Sequence, residues 1–292
     1  MAGTDTQSPA SHRLPAALRL GAVHLQVADL GRSLEYYERV LGLGAVARTH
    51  DRATLAPHGG DAPLIELHER AGAVPVPRRG RLGLYHFAIL VPDRGALGRL
   101  VRHLGSLGIH AGMSDHLVSE AIYLTDPDGL GIEVYADRPR SEWRYERDQI
   151  AMATIPLDVE GVLAAAGDAP WHGLPAGTVI GHVHLFVGDL ERANAFYHEA
   201  LGFDRTVWSY PGALFLSAGG YHHHLGTNTW AAGAAPAGAD DARLLEWQIV
   251  LPSEGDVGDV LDNLERAGVP VTRQEGGGLV RDPWGTAVRV RT

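Results

Sequence analysis

The chain of 292 residues contains no cysteine, so it can form neither a disulfide nor a thiolate metal site. Any bound metal must then be held by histidine, aspartate or glutamate, and the chain has 16 histidines. Basic side chains are also scarce, since 25 lysines and arginines face 35 aspartates and glutamates, which gives a formal charge of -10. Proteins that bind a phosphate backbone need concentrated basic residues, so this composition argues against nucleic acid as a partner.

Long hydrophobic runs are absent as well. No segment approaches the roughly 20 apolar residues that span a bilayer, and the N-terminal segment lacks the apolar core of a secretory signal. We interpret residues 1–17 as a flexible polar leader and expect a cytoplasmic protein without membrane contact. Hydrophobic residues make up 45% of the chain and charged residues 21%, as is typical of a globular protein, and the length suits two domains.

The chain contains an internal duplication. The segment GAVHLQVADL at 21–30 returns as GHVHLFVGDL at 181–190, an offset of 160 residues. Each copy alternates like a strand and then reaches an aspartate, Asp29 or Asp189, at the position of a helix N-cap. Because the same pattern occurs twice, the two halves are predicted to share one fold.

Each half also contains a second, related unit. LYHFAILVPD at 84–93 and LLEWQIVLP at 244–252 open further strands, and both are followed by helical periodicity. Glycines at 42 and 202 are predicted to end the first and third helices. The apolar positions that define the core faces of three helices are Leu34, Tyr37, Leu41, then Leu97, Leu100, Val101, Leu104, then Val257, Val260, Leu261, Leu264.

The repeats predict an α+β fold of two domains, each with paired strand-helix-strand units and four units in all. Residues 18–145 form the expected N-terminal metal-binding catalytic domain, and residues 179–292 form a C-terminal non-catalytic repeat. Residues 146–178 are interpreted as a linker with one short helix in DVEGVLAAAGDAP. The Ala/Gly/Pro-rich run at 230–242 is predicted to be a loop.

Three polar residues of the first half interrupt otherwise apolar strands. His24 lies in the first strand of unit one, His86 in the first strand of unit two, and Glu133 in the last strand of unit two. A buried polar group without a partner costs about 1 to 3 kcal/mol, so such positions favour a bonded group. Two imidazoles and one carboxylate form the set that binds non-haem Fe(II) on one face, which makes these three the predicted metal ligands.

The second half serves as an internal control. At the offset of 160, His24 corresponds to His184 and His86 to Glu246, while alignment of the chain ends pairs Glu133 with Arg289. A guanidinium cannot bind a metal cation. We therefore expect an active first half beside a second half that has lost its ligands.

These patterns resemble the vicinal oxygen chelate superfamily, which includes glyoxalases, bleomycin resistance proteins and extradiol dioxygenases. Within it the chain is similar to the CatE-like group of bacterial two-domain catechol 2,3-dioxygenases, from about residue 18 to residue 290. The most specific stretches are LYHFAILVPDR, SEAIYLTDPDGLGIEVYADRPRSEW and SAGGYHHHLGTNTW. The resemblance implies paired βαβββ units with mixed, curved sheets, and ring-cleaving members carry His, His and Glu ligands at the corresponding strand positions.

The resemblance also implies an extradiol dioxygenase that opens a catechol with O2 at Fe(II), with Mn(II) as an alternative metal. It assigns the active-site tyrosine to Tyr123, ten residues before Glu133, an acid/base role to His116, and a substrate-binding role to His68. The expected partners are a small aromatic diol and O2, and the sequence is compatible with a homo-oligomer. The cluster His222–His224 could bind a metal or simply pack, because consecutive strand residues point to alternating faces.

Two alternatives stay open at the level of sequence. A glyoxalase-like isomerase or lyase with Zn or Ni would use Glu66 as a fourth ligand. A non-enzymatic drug-binding resistance protein of the same superfamily would need no ligands, so a complete His, His, Glu set counts against it.

Overall fold

The computed structural model describes residues 12–60 and 62–292, and its strands form two large mixed sheets and one short hairpin. The predicted α+β class with four repeated units is confirmed. One main apolar core contains buried residues of all four units. Within the described ranges, no helix is long and apolar enough to cross a membrane.

The first half contains units one and two. Unit one consists of β1 (Arg19–Leu20), β2 (Val23–Val27), α1 (Leu30–Leu41), β3 (Gly44–Arg48), β4 (Arg52–Ala56) and β5 (Ile65–Glu69). Unit two consists of β6 (Gly83–Leu90), α2 (Arg94–Ser106), β7 (Gly112–Asp115), β8 (Ser119–Thr125) and β9 (Gly131–Asp137). A 3-10 turn (Arg140–Glu142), the hairpin β10 (Tyr145–Glu146) and β11 (Gln149–Ile150), and α3 (Val159–Ala165) connect the halves.

The second half repeats this order. Unit three consists of β12 (Val179–Phe186), α4 (Leu190–Asn194) continuing into a π-helical turn (Ala195–Ala200), β13 (Asp204–Val207), β14 (Ala213–Ser217) and β15 (Leu225–Asn228). Unit four consists of β16 (Arg243–Val250), α5 (Glu254–Arg266), β17 (Thr272–Gln274), β18 (Gly277–Arg281) and β19 (Ala287–Arg291).

The predicted helix signals are confirmed. The Asp29 carboxylate accepts a hydrogen bond from the N–H of Arg32 at 2.8 Å, and Asp189 does the same for Arg192 at 2.7 Å. Gly42 has φ +64°, the left-handed conformation that ends α1. All apolar positions predicted for the core faces of α1, α2 and α5 are buried, and α3 forms within the expected segment.

The units combine into sheets in a different way from the predicted domains. Sheet I contains units one and four, because β2 pairs with β16 in antiparallel fashion. Sheet II contains units two and three, because β6 pairs with β12 in antiparallel fashion. Residues 18–145 therefore do not close a sheet of their own, and each sheet combines one unit from each half of the chain. Strand pairing between units is a long-range property, which local sequence periodicity does not encode.

The predicted leader falls into two parts. Residues 1–11 lie outside the described residues. Leu14 is buried and its N–H donates to the Gly202 carbonyl at 2.9 Å, while Arg13 forms an ion pair with Asp204 at 3.1 Å. Residues 12–17 thus pack against unit three, which corrects the expectation of a flexible leader for this part.

Candidate metal centre and adjoining cavity

Three metal-ligating side chains meet on one face of sheet II. His86 comes from β6, Glu133 from the parallel neighbour β9, and His182 from the antiparallel neighbour β12. The Oε2 atom of Glu133 lies 3.0 Å from Nε2 of His86 and 3.2 Å from Nε2 of His182. One ligand atom from each residue lies within 4.8 Å of the other two. This donor set is the 2-His-1-carboxylate combination suited to non-haem iron.

The centre is buried and its polar atoms are incompletely bonded. The side chains of His86, Glu133 and His182 are 6%, 3% and 2% exposed. Among the residues that the structure describes, both ring nitrogens of His86 and Nδ1 of His182 have no hydrogen-bond partner. Buried polar atoms are rarely left without partners. Nε2 of His86 and Nε2 of His182 converge on the Glu133 carboxylate, and the His86 atom is one of those without a hydrogen bond, which fits side chains arranged to bind a cation.

The protonation states also suit a cation. Burial lowers the pKa of His182 to about 4, although the Glu133 carboxylate opposes this shift. Burial alone would raise the pKa of Glu133, but the neighbouring imidazoles of His182 and His86 hold it well below its ordinary value. At neutral pH the centre therefore contains an ionised carboxylate beside a neutral His182, which is the protonation state of metal ligands.

The predicted ligand His24 lies elsewhere. His24 is on β2 of sheet I, opposite Glu246 of β16, and its ring nitrogens approach Glu66 and Glu246. The structure brings together His86 and Glu133 as predicted, but the third donor is His182 and not His24. The physical reason is the pairing of units: β6 has β12, not β2, as its antiparallel neighbour.

A signal for His182 was present in the sequence. His86 precedes the helix N-cap Asp93 by seven residues, 93 − 86 = 7, and His182 precedes the N-cap Asp189 by the same distance, 189 − 182 = 7. His24 precedes its N-cap Asp29 by only five residues, 29 − 24 = 5. Counting back from the cap, and not along the 160-residue offset, selects His182.

The correspondence between units two and four is confirmed by strand register. Glu133 lies opposite Ala88, two residues beyond His86, and Arg289 lies opposite Gln248, two residues beyond Glu246. In sheet I these two positions form an ion pair, with Arg289 Nε 2.6 Å and Nη2 2.7 Å from the two carboxylate oxygens of Glu246. In sheet I, the positions that correspond to His86 and Glu133 therefore carry a bidentate ion pair and not two candidate metal ligands.

Tyr123 and His116 lie beside the centre. Tyr123 is opposite Glu133 in the β8–β9 hairpin, and its ring centroid is 5.6 Å from that of His86. The Tyr123 hydroxyl and Nε2 of His116 are 2.6 Å apart, and Nδ1 of His116 is 2.8 Å from the carbonyl of Ala153. Because Nδ1–H must donate to that carbonyl, Nε2 accepts from the tyrosine hydroxyl. Burial and the nearby Glu133 raise the pKa of Tyr123 well above its ordinary value.

A cavity of about 210 Å³ opens in front of the centre. Its wall includes His86, Glu133, Tyr123 and His116. Tyr85 and Ser114 of unit two also line it. The sequence did not predict the wall residues that come from the segment after β11, from unit three and from the loop that follows it: Met152, Ala153, Thr154, His184, Tyr210, Phe215, His223 and Trp230. The predicted linker therefore contributes to the site, with Ala153 fixing the orientation of His116.

His68 and Glu66 do not reach this cavity. Both lie on β5 of sheet I, where Glu66 is opposite His24, and each lies within 3.6 Å of a neighbouring donor of that sheet. His68, predicted to bind substrate, therefore lies outside this cavity, because β5 pairs with β2 and not with a strand of sheet II. For the same reason Glu66 does not complete a four-ligand glyoxalase-like centre with His86 and Glu133.

The cluster His222–His224 packs beside the centre, and His223 also lines the cavity. Nε2 of His222 is 2.8 Å from the Asp137 carboxylate, and its Nδ1 is 2.7 Å from Nδ1 of His223. The His223 ring centroid lies 4.1 Å from that of His182 with the rings tilted by 45°, and Nδ1 of His224 is 3.1 Å from the Ser217 hydroxyl oxygen. Packing and hydrogen bonding therefore account for this cluster.

Comparison with known proteins extends these observations. The model of the Glyoxalase/Bleomycin resistance protein/Dioxygenase superfamily matches residues 19–134 and 179–290. A catechol-2,3-dioxygenase from Bacillus subtilis (strain 168) is 46% identical over 268 residues, covering 90% of this chain and 93% of the relative. A biphenyl-2,3-diol 1,2-dioxygenase from Pseudomonas sp. (strain KKS102) is 28% identical, covering 86% and 78%.

The fold is also found among solved structures. A crystal structure of a protein from Bacillus subtilis subsp. subtilis str. 168 matches with a TM-score of 0.64 and 16% identity, covering 97% of this chain and 86% of that one. At this identity the match supports the fold alone.

Proposed function

Because the chain belongs to the Glyoxalase/Bleomycin resistance protein/Dioxygenase superfamily, we propose that it is a ring-cleaving dioxygenase that opens a catechol with O2. The observation that carries the proposal is the buried His86–Glu133–His182 centre at the wall of a cavity that also contains Tyr123 and His116. The similarity to a catechol-2,3-dioxygenase supports the same substrate class.

We propose His86, Glu133 and His182 as the metal ligands. They offer two imidazoles and one carboxylate, a set suited to Fe(II), and Mn(II) binds to the same hard and borderline donors. The ion, when bound, would draw the two hydroxyl oxygens of the diol and O2 to adjacent positions and pass electron density between them. Three protein ligands leave positions for both reactants.

The cavity suits a small aromatic diol. Tyr85, Phe215 and Trp230 contribute aromatic side chains to its wall, and the volume of about 210 Å³ accommodates one ring with small substituents. The metal ligands His86 and Glu133 lie in the same wall. A catechol therefore enters with its hydroxyls toward His86 and Glu133.

Tyr123 and His116 act on the hydroxyl protons. The raised pKa keeps the Tyr123 hydroxyl protonated at neutral pH, and this single proton is donated to Nε2 of His116. The tyrosine oxygen can therefore accept a hydrogen bond from a substrate hydroxyl, while Nδ1–H of His116 is held by the Ala153 carbonyl. A proton that leaves the substrate passes to the Tyr123 oxygen as the tyrosine proton moves to His116 Nε2, so His116 is the final acceptor and Tyr123 the relay.

Anaerobic reconstitution tests the proposal. The metal-free protein is loaded with Fe(II), mixed with a catechol and exposed to air, while O2 uptake and the absorbance of the yellow ring-fission product are recorded. We expect one O2 consumed per ring opened. Absence of both colour and O2 uptake with every catechol tried, in a protein that contains iron, would contradict the proposal.

Two single substitutions sharpen this test. Glu133→Ala removes the carboxylate from the buried centre, so neither ring cleavage nor iron at that centre is expected. Arg289→Ala changes the corresponding position of unit four and should leave ring cleavage within about threefold of the wild type, because Arg289 and its partner Glu246 lie on sheet I and take no part in the centre of sheet II. Equal losses in both variants would mean that the centre has been assigned to the wrong sheet.

A further inference from the structure

A second group of metal-ligating side chains lies on sheet I, apart from the centre described above. His24 is on β2, and Glu66 and His68 are on its parallel neighbour β5. His24 and Glu66 are opposite each other in the register, and His68 follows two residues later on the same face of the strand. The sheet therefore presents two imidazoles and one carboxylate at one place.

The distances between these donors suit a small divalent ion. Oε2 of Glu66 is 3.6 Å from Nδ1 of His24 and 3.6 Å from Nε2 of His68, and all three ligand atoms lie within 4.8 Å of one another. Metal–ligand bonds of about 2.0–2.2 Å in tetrahedral geometry place neighbouring donors about 3.3–3.5 Å apart. The two separations between the histidines and the Glu66 carboxylate thus exceed this spacing by only a few tenths of an ångström.

One of the donors is also left without a hydrogen bond. Nε2 of His68 is buried, and among the described residues it has no hydrogen-bond partner. Its separation of 3.6 Å from the Glu66 oxygen is too long for a hydrogen bond. A bound cation between the two atoms would satisfy both.

The surroundings orient His24 as a ligand through Nδ1. Its other nitrogen, Nε2, lies 3.8 Å from Oε1 of Glu246 and 2.9 Å from the side-chain amide of Gln248. Metal-binding imidazoles characteristically donate their second N–H to a carboxylate or carbonyl oxygen, and rotation of the Gln248 amide would present its oxygen. Arg289 holds Glu246 through both carboxylate oxygens, which keeps Glu246 in this supporting position.

We propose that His24, Glu66 and His68 form a second metal site, which takes a divalent ion of the Zn²⁺, Co²⁺ or Ni²⁺ type. The side chains are 14%, 35% and 20% exposed, in contrast to the buried centre of sheet II, so solvent fills the remaining coordination positions. None of these three residues lines the cavity beside the sheet II centre. The site is separate from ring cleavage and does not depend on that assignment.

Zinc stoichiometry tests this site. Metal-free protein is titrated with Zn²⁺ in a calorimeter, and bound zinc is counted after removal of the excess. The wild type should bind two ions per chain. Glu133→Ala, which disables the centre of sheet II, should bind one, and the double variant Glu133→Ala/His68→Ala should bind none. His50→Ala in the Glu133→Ala background is the matched control and should keep one ion, because the His50 side chain is 92% exposed.

Two further results decide the matter if a variant is unstable. Glu66→Gln is nearly isosteric, so it should preserve the fold, checked by circular dichroism, while removing the charged ligand. In the Glu133→Ala background, Co²⁺ should give a visible absorption band that Glu66→Gln abolishes. A Glu133→Ala protein that binds no metal, or one whose single ion persists after both Glu66 and His68 are replaced, would overturn the proposal.

Discussion

Replacement of His182 by alanine should eliminate ring cleavage, whereas replacement of His24 by alanine should leave it largely intact. His182 is a fully buried neighbour of Glu133 and His86, with its Nε2 atom 3.2 Å from the Glu133 carboxylate. Without this imidazole the centre keeps one histidine and one carboxylate, too few for the three-ligand set. His24 lies on sheet I, where its ring nitrogens approach Glu66 and Glu246, and it is not one of the three side chains that meet at that centre.

The two variants are compared after identical anaerobic loading with Fe(II). We expect no detectable ring-fission product with His182→Ala and an O2-uptake rate within about threefold of the wild type with His24→Ala, the range expected of a change worth less than about 0.7 kcal/mol. Circular dichroism provides the control for folding. A folded His182→Ala protein with normal activity, or a folded His24→Ala protein without activity, would return the third ligand to His24.

Removal of the Tyr123 hydroxyl should lower the turnover number more than it alters substrate affinity. The hydroxyl donates to His116 Nε2 and faces the substrate end of the cavity. General acid–base and hydrogen-bonding groups contribute about 10²- to 10⁴-fold to rates, so Tyr123→Phe should reduce kcat by at least about 10²-fold with little change in KM.

The pairing with His116 makes a second expectation testable. Because Tyr123 and His116 share one hydrogen bond, the double variant Tyr123→Phe/His116→Ala should lose little more activity than the worse single variant. Tyr145→Phe is the matched control, since the Tyr145 side chain is exposed and remote from the cavity. Fully additive losses, or a Tyr123→Phe variant with unchanged kcat, would show that the pair does not act as a unit.

Local features of the fold were readable from the sequence. Asp29 and Asp189 cap their helices through side-chain oxygens, and Gly42 ends α1 with a positive φ, as the residue types predict. Such signals depend on a few neighbouring residues, so they survive without knowledge of tertiary structure. The same holds for Tyr123 and Glu133, which a short hairpin places opposite each other.

The pairing of units was not readable in this way. Consecutive units one and two were expected to share a sheet, yet β6 of unit two pairs with β12, which begins 89 residues after the end of β6, 179 − 90 = 89. Every unit carries a similar apolar pattern, so each could pair with any other on that evidence. The choice is decided by packing over the whole chain.

The expectation that units one and two share a sheet explains the differences at the site. That expectation placed His24 in the centre and His68 in the cavity, although both residues lie on sheet I. It also hid the contribution of the segment between the halves, whose Ala153 carbonyl orients His116. His86, Glu133, Tyr123 and His116 lie together at the cavity because all four come from unit two.

An anomalous difference map at the iron absorption edge tests the central claim most directly. Crystals of protein loaded with Fe(II) under anaerobic conditions should give a strong peak within bonding distance of Nε2 of His86, Nε2 of His182 and the Glu133 carboxylate. A map with no peak among these three residues, or with iron bound by His24 in place of His182, would contradict the account.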